Sequence, residues 1–212
     1  MSPFEFVFSL VGLLLGLSLA ELLGGLAKAI KARRHAARTG AEPLLLGHLV
    51  PMLALFLMLD IAGFWTYAWT VRDVIPPTYV TLVFGLLVIG LYYLAASWVF
   101  PEDLADRREL DSHYFEQKRQ IFLVVILCNL LAYAGRVLLS GMAVFTHWTW
   151  ASWVLVGPGF FGLMLLAIFV RSKRANTIIL ALLLFTYASD ALKLHWYLPG
   201  AMPVDPAAAI QS

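Results

Sequence analysis

Apolar residues run in six blocks, 4–30, 44–71, 78–100, 121–145, 153–170 and 178–198, separated by polar stretches. A helix rising about 1.5 Å per residue crosses a hydrocarbon core of about 30 Å in some twenty residues. Every block is close to that length or longer, the fifth being the shortest at 18 residues. None alternates with period two, and backbone polar groups in lipid must be satisfied within their own segment, so each block is predicted to be a helix. The predicted fold class is an all-α integral membrane protein, a bundle of six transmembrane helices forming one domain over 1–212. An internal repeat, as three hairpins or as a 3+3 arrangement, is compatible with this count.

Basic residues set the expected orientation. Lys28, Lys31, Arg33, Arg34 and Arg38, then Arg107, Arg108, Lys118 and Arg119, then Arg171, Lys173 and Arg174 make up twelve of the 15 Lys and Arg, all on one side. The other side has only Arg72 and Lys193. By the positive-inside rule the basic side is cytoplasmic, so both termini face outward. Trp65, Trp69, Trp148, Trp150, Trp153 and Trp196 gather toward the opposite surface, where indole rings favour the headgroup region. The expected location is a bacterial inner (plasma) membrane. The first block is too long for a signal-peptide core and lacks a basic leader, so it is read as a retained span.

Composition agrees with this reading. The chain of 212 residues is 61% hydrophobic and 13% charged, about half the charge of a soluble domain. That excludes a cytosolic enzyme and a nucleic-acid partner. Cys128 is the single cysteine, so no disulfide framework exists. The loop 101–120 reads as a charged cytoplasmic helix, either a solvated connector or a docking surface for a cytoplasmic protein. Expected partners are otherwise the bilayer and a second copy of the chain.

Charged side chains within spans cost about 2.5–3.5 kcal/mol each on insertion scales. Asp60, Arg136 and Asp190 lie at depths that agree within about 6 Å when counted from the basic ends of their blocks. Asn129, Tyr133, Arg136 and Ser140 share one face of the fourth block; Asp60, Gly63 and Tyr67 line the second, and Thr186, Asp190 and Lys193 the sixth. These stripes are expected to converge, with Arg136 paired to Asp60, Asp190 or both. That polar cluster of Asp60, Arg136, Asp190, Asn129 and Tyr133 has two readings: an ion-pair triad fixing helix register, or a proton or cation relay. Glu21 and His48 form a candidate secondary inner site, with Lys28 the competing partner for Glu21. Pro51 is expected to bend the second helix, and Gly157-Pro158-Gly159 the fifth.

Gly12, Gly16, Ala20 and Gly24, at strict i+4 spacing, are a candidate helix-packing stripe, within the bundle or between copies. Ser140 and His195 lie at similar depth, but no oxyanion donors accompany them, so no nucleophile–base pair is assigned. No cofactor or metal is expected: the histidines are scattered, and there is no phosphate loop, zinc-protease helix or dinucleotide fingerprint. The expected function is a small transporter or channel for a proton, ion or small solute. The alternative is a non-enzymatic membrane scaffold, sensor or assembly subunit.

Overall fold

A computed structural model describes residues 3–39, 45–70, 78–102, 109–140 and 159–191. Six helices follow in order: α1 (Pro3–Thr39), α2 (Leu49–Thr70), α3 (Tyr79–Ser97), α4 (Leu110–Ser140), α5 (Gly162–Phe169) and α6 (Lys173–Ala191). The first four contain stretches long and apolar enough to cross a membrane: Phe8–Ala36, Leu49–Trp69, Tyr79–Ser97 and Leu110–Leu138. Their outward faces are apolar too, with Leu17, Val80, Leu94 and Leu127 exposed. Large apolar side chains turned outward all round a helical bundle are what lipid contact requires. The chain is a membrane protein. The short α5, preceded by one π turn at 159–161, and the more polar α6 fall outside the four spanning helices among the described residues.

The bundle is organised around α2, which packs against α1, α3, α4 and α6. The sequence of α2 explains its central place: Leu49, Leu53, Phe56 and Asp60, and beside them Val50, Ala54, Leu57 and Ile61, are all buried. Their three- and four-residue steps give two adjacent rows, wide enough to serve several neighbours at once. Pro51 does not bend this helix. It stands in the first turn, where a missing N–H breaks no helical bond. Gly157 and Pro158 lie outside the described residues.

Helix α1 is continuous through the basic stretch that the apolar pattern ends before. Its inward face is Leu15, Ser18, Leu22, Gly25 and Ala29, not the glycine stripe. Gly25 admits the Phe100 ring, which a Cβ there would meet at 2.3 Å, and Gly12 admits Trp65 at 2.5 Å. Gly16 and Gly24 have nothing within 4 Å, and Ala20 is exposed. The centre of the i+4 stripe therefore lies about 160° round the helix from the packed face, and only its Gly12 meets a neighbour. At the end of the bundle remote from the basic residues, Phe8 of α1 packs on Trp65 and Trp69 of α2, ring centroids 3.8 and 5.1 Å apart.

The basic end is fastened by polar groups. Residues 110–120, expected as part of a loop helix, are the first turns of α4, and Leu110, Asp111, Tyr114 and Lys118 are buried there. Asp111 accepts the Leu49 N–H at 3.0 Å, so a carboxylate from α4 caps the N-terminus of α2. Gly47, at φ +59°, makes the approach possible. Leu110 N–H bonds Leu45 C=O at 3.1 Å in the same corner, and His113 Nε2 donates to Trp98 C=O at 3.0 Å. Lys118 donates to the carbonyls of Ala167 and Val170 and to Asn176 Oδ1. Its ammonium thereby serves the C-terminal end of α5, where positive charge is favoured. Asn176 also accepts from Tyr114 Oη at 2.8 Å and donates to Val170 C=O at 2.8 Å.

Lys173, at the start of α6, pairs with Asp111 at 2.5 Å and Glu109 at 3.1 Å. Asp111 first, and then Glu109, holds its ammonium above the ordinary lysine value of 10.5. A raised pKa means this contribution is fully present below pH about 10.5 and is lost as the pH rises through the higher folded value. The thermal-stability difference between the parent chain and Lys173→Met in detergent should therefore be constant from pH 7 to 9.5 and narrow above 10.5. A difference that grew with alkalinity would contradict this pairing.

Candidate functional site

Asp60 lies midway along α2 with 3% of its surface exposed. Three side chains from three other helices donate to its carboxylate. Tyr92 Oη of α3 reaches Oδ2 at 2.9 Å, and Tyr187 Oη of α6 reaches Oδ1 at 2.5 Å. Asn129 Nδ2 of α4 spans both oxygens, at 3.1 and 3.2 Å, and also donates to Val125 C=O at 3.0 Å. An amide NH₂ has two hydrogens, so one serves the helix carbonyl and the other bridges the carboxylate. All three donors are neutral. Among the described residues no cation lies within ion-pair distance of Asp60.

The surroundings are aromatic. The Tyr187 ring packs edge-on against Phe56 at 6.0 Å and Phe160 at 5.9 Å. Phe64 lies 5.5 Å from the Tyr92 ring. Gly63, one turn beyond Asp60, leaves room for Tyr187: a Cβ there would meet its Cε1 at 3.4 Å. Phe160 belongs to the π turn leading into α5, so five helical segments converge on the site. Hydrogen bonds gain strength where water is excluded, and a carboxylate with few neutral donors is the kind of group whose charge a proton or cation can readily cancel.

The stripes expected on the second and fourth blocks do face each other, with a different register. Asn129, not Arg136, stands opposite Asp60. Seven residues farther along each helix, about 10 Å by helical rise, the Arg136 guanidinium lies over the Tyr67 ring at 5.7 Å. Tyr67 Oη donates to Ala132 C=O of α4 at 3.2 Å. The expected Asp60–Arg136 ion pair is replaced by neutral donors at Asp60 and a cation–π contact at Arg136. Tyr133, half-buried, stacks near Phe161 at 6.2 Å. Thr186 turns back on its own helix, donating to Leu183 C=O at 2.7 Å, and its neighbour Tyr187 reaches the site instead. Asp190 is in the last described turn of α6; its side chain, and all of Lys193 and His195, lie outside the described residues.

Glu21 and His48 serve separate surroundings. Glu21 is exposed on α1. His48 Nε2 bonds Thr177 Oγ1 of α6 at 2.7 Å, and that hydroxyl donates its one proton to Lys173 C=O at 2.9 Å. The histidine is therefore the donor, protonated at Nε2. No group of three or more His, Cys, Asp or Glu able to hold a metal occurs among the described residues.

Tyr92 and Tyr187 were not singled out by sequence reasoning, which follows charges and takes tyrosines for interfacial or packing residues. The available signal was positional: a hydroxyl within an apolar block also needs a partner. Scans against protein-family models, curated proteins and solved structures found no match. The function is argued from the site alone.

Proposed function

We propose that this chain is a small polytopic membrane transporter or channel that moves a proton, with Asp60 as the group that takes it up and releases it. The observation carrying this reading is the Asp60 carboxylate itself, enclosed at mid-helix and held by Tyr92, Asn129 and Tyr187 without a countercharge among the described residues. Intramembrane carboxylates of this kind mark ion and proton pathways because the charge is too costly to keep for packing alone. A metal cation would need several oxygens turned toward it, whereas Asn129 presents its NH₂ to the site. A proton needs only one lone pair on Asp60, which Tyr92 or Tyr187 can free by turning its hydroxyl to accept. Two tyrosine hydroxyls touch the carboxylate, and each can accept a proton as it gives one up.

In this reading the chain crosses the membrane six times in a bacterial inner membrane, with the basic end cytoplasmic and both termini outside. The residues around Arg136 and Tyr67 lie about 10 Å closer to the outer surface than Asp60. They form the outer approach.

The test is proton flux into liposomes carrying the purified chain, read with an internal pH dye under an imposed potential. The parent chain should acidify the lumen well above protein-free liposomes. Asp60→Asn, which keeps the shape of the side chain and replaces one acceptor oxygen by an NH₂ that a tyrosine hydroxyl can turn to accept, should return flux to the protein-free rate with unchanged helical content. A parent chain indistinguishable from empty liposomes under every gradient would remove the transport reading. A specific observation then favours a scaffold or assembly subunit: one carboxylate ties α3, α4 and α6 to α2, and would serve as a register pin.

A further inference from the structure

The basic end carries a second feature, apart from the Asp60 site and lined in part by the helix-fastening Lys118. A groove of about 570 Å³ opens between α4 and the end of α5. Its cations come from both sides, Lys118 and Arg119 from α4 and Arg171 just past the end of α5; Glu116 is the single acid along it. An apolar wall is formed by Ile168 and Phe169 of α5, and Phe169 is 77% exposed.

The three cations play different parts. Lys118 has its donors engaged by Ala167, Val170 and Asn176, so it adds a fixed positive charge to the floor without a free hydrogen. Its ammonium also sits 5.1 Å from the Phe115 ring centroid, which holds it in place. Arg119 and Arg171 are exposed, and guanidinium forks match the paired oxygens of a phosphate.

We propose that this groove binds an anionic phospholipid, with the headgroup phosphate between Arg119 and Arg171 and an acyl chain along Ile168 and Phe169. The proposal does not depend on what Asp60 does. Charge complementarity selects an anion, since three cations face one acid. The apolar wall selects a lipid over a free anion, because inorganic phosphate would leave Ile168 and Phe169 uncovered. The position agrees: the groove lies where the apolar helices end and the basic residues begin, the depth at which headgroups sit, and basic pockets between helices on such a face recognise anionic headgroups.

The full chain, purified in neutral detergent, can be titrated with phosphatidylglycerol or phosphatidylcholine and the bound lipid counted by native mass spectrometry. The parent chain should retain one phosphatidylglycerol in clear preference to phosphatidylcholine. Each surface cation contributes on the order of a fivefold preference for anionic lipid, so Arg119→Gln with Arg171→Gln should weaken phosphatidylglycerol binding about thirtyfold. Both side chains are exposed, so the fold should be preserved. A second variant, Lys28→Gln with Lys31→Gln, removes the same charge from the exposed face of α1 and should leave the affinity within about twofold. Equal losses in the two variants, or none in the first, would overturn the proposal. So would displacement of the lipid by inorganic phosphate at equal concentration, which would make the groove a site for a free anion.

Discussion

Lys118→Met is expected to lower the stability of the folded chain by about 3 kcal/mol, the largest effect of any single substitution at the basic end. The methionine fills a similar volume but leaves Ala167 C=O and Asn176 Oδ1 without the ammonium they now accept from. A buried hydrogen bond from a charged donor contributes about 1.5–3 kcal/mol, and a cation at a helix C-terminus up to about 2 more in partly buried settings. The cost of stripping water from the ammonium offsets part of that sum. Reversible unfolding in mixed micelles, followed by tryptophan fluorescence, measures the difference. A change under 1 kcal/mol would mean that desolvation consumes nearly everything the three acceptors provide. Because α5 is short and its C-terminal carbonyls rest on this side chain and Asn176 alone among the described residues, the loosened segment should be α5, visible as faster hydrogen exchange over 162–169 than over α2.

Gly47→Ala is expected to be almost as costly, about 3 kcal/mol by the same measurement. The left-handed φ of +59° alone disfavours alanine by about 1–2 kcal/mol. The larger part is steric and electrostatic. A Cβ at this position would stand 2.1 Å from Asp111 Oδ1, so the carboxylate must leave the Leu49 N–H it caps and loosen from Lys173. Losing such a cap costs about 1 kcal/mol, and stranding a buried carboxylate costs more. Asp111→Asn made together with Gly47→Ala should lose less than the two separate effects added, since both act through one contact. Strict additivity would show that the glycine serves only its own backbone.

Both substitutions act on the first turns of α4, Lys118 directly and Gly47 through Asp111, where hydropathy is a poor guide. Asp111, Tyr114 and Lys118 stand at i, i+3 and i+7, a face that runs on into Ile121, Phe122 and Val125. Hydropathy broke that face at Ile121 because polar residues dominate the preceding turns, so a buried network looked like a solvated loop. The spanning helices α1 to α4 were legible because twenty apolar residues leave the backbone no other choice. So was the facing of α2 and α4, through the spacing of Asp60 and Tyr67 against Asn129 and Arg136. The register between them was not, because the edges of apolar blocks mark lipid depth only to within a turn or two and do not mark helix phase. An error of seven residues keeps the same face and moves the partner by two turns, which is how Arg136 came to be expected where Asn129 stands. Within the bundle the small-residue stripe packs only at Gly12, for a related reason: glycine spacing identifies a face, but which face packs inward is decided by the larger residues beside it, here Leu15, Leu22 and the ring of Phe100.

The arrangement around Asp60 also bears on how the chain is made. Its donors follow it in the sequence by 32 residues at Tyr92, 69 at Asn129 and 127 at Tyr187. At a synthesis rate of about 5–20 residues per second, the last donor is made roughly 6–25 s after Asp60 itself. During biogenesis α2 must therefore enter the bilayer while its acid is unsatisfied, carried by the leucine- and phenylalanine-rich turns on either side. Helix α6, last in the described order, completes the carboxylate's shell, so the site is assembled in its final form only after Tyr187 has been translated.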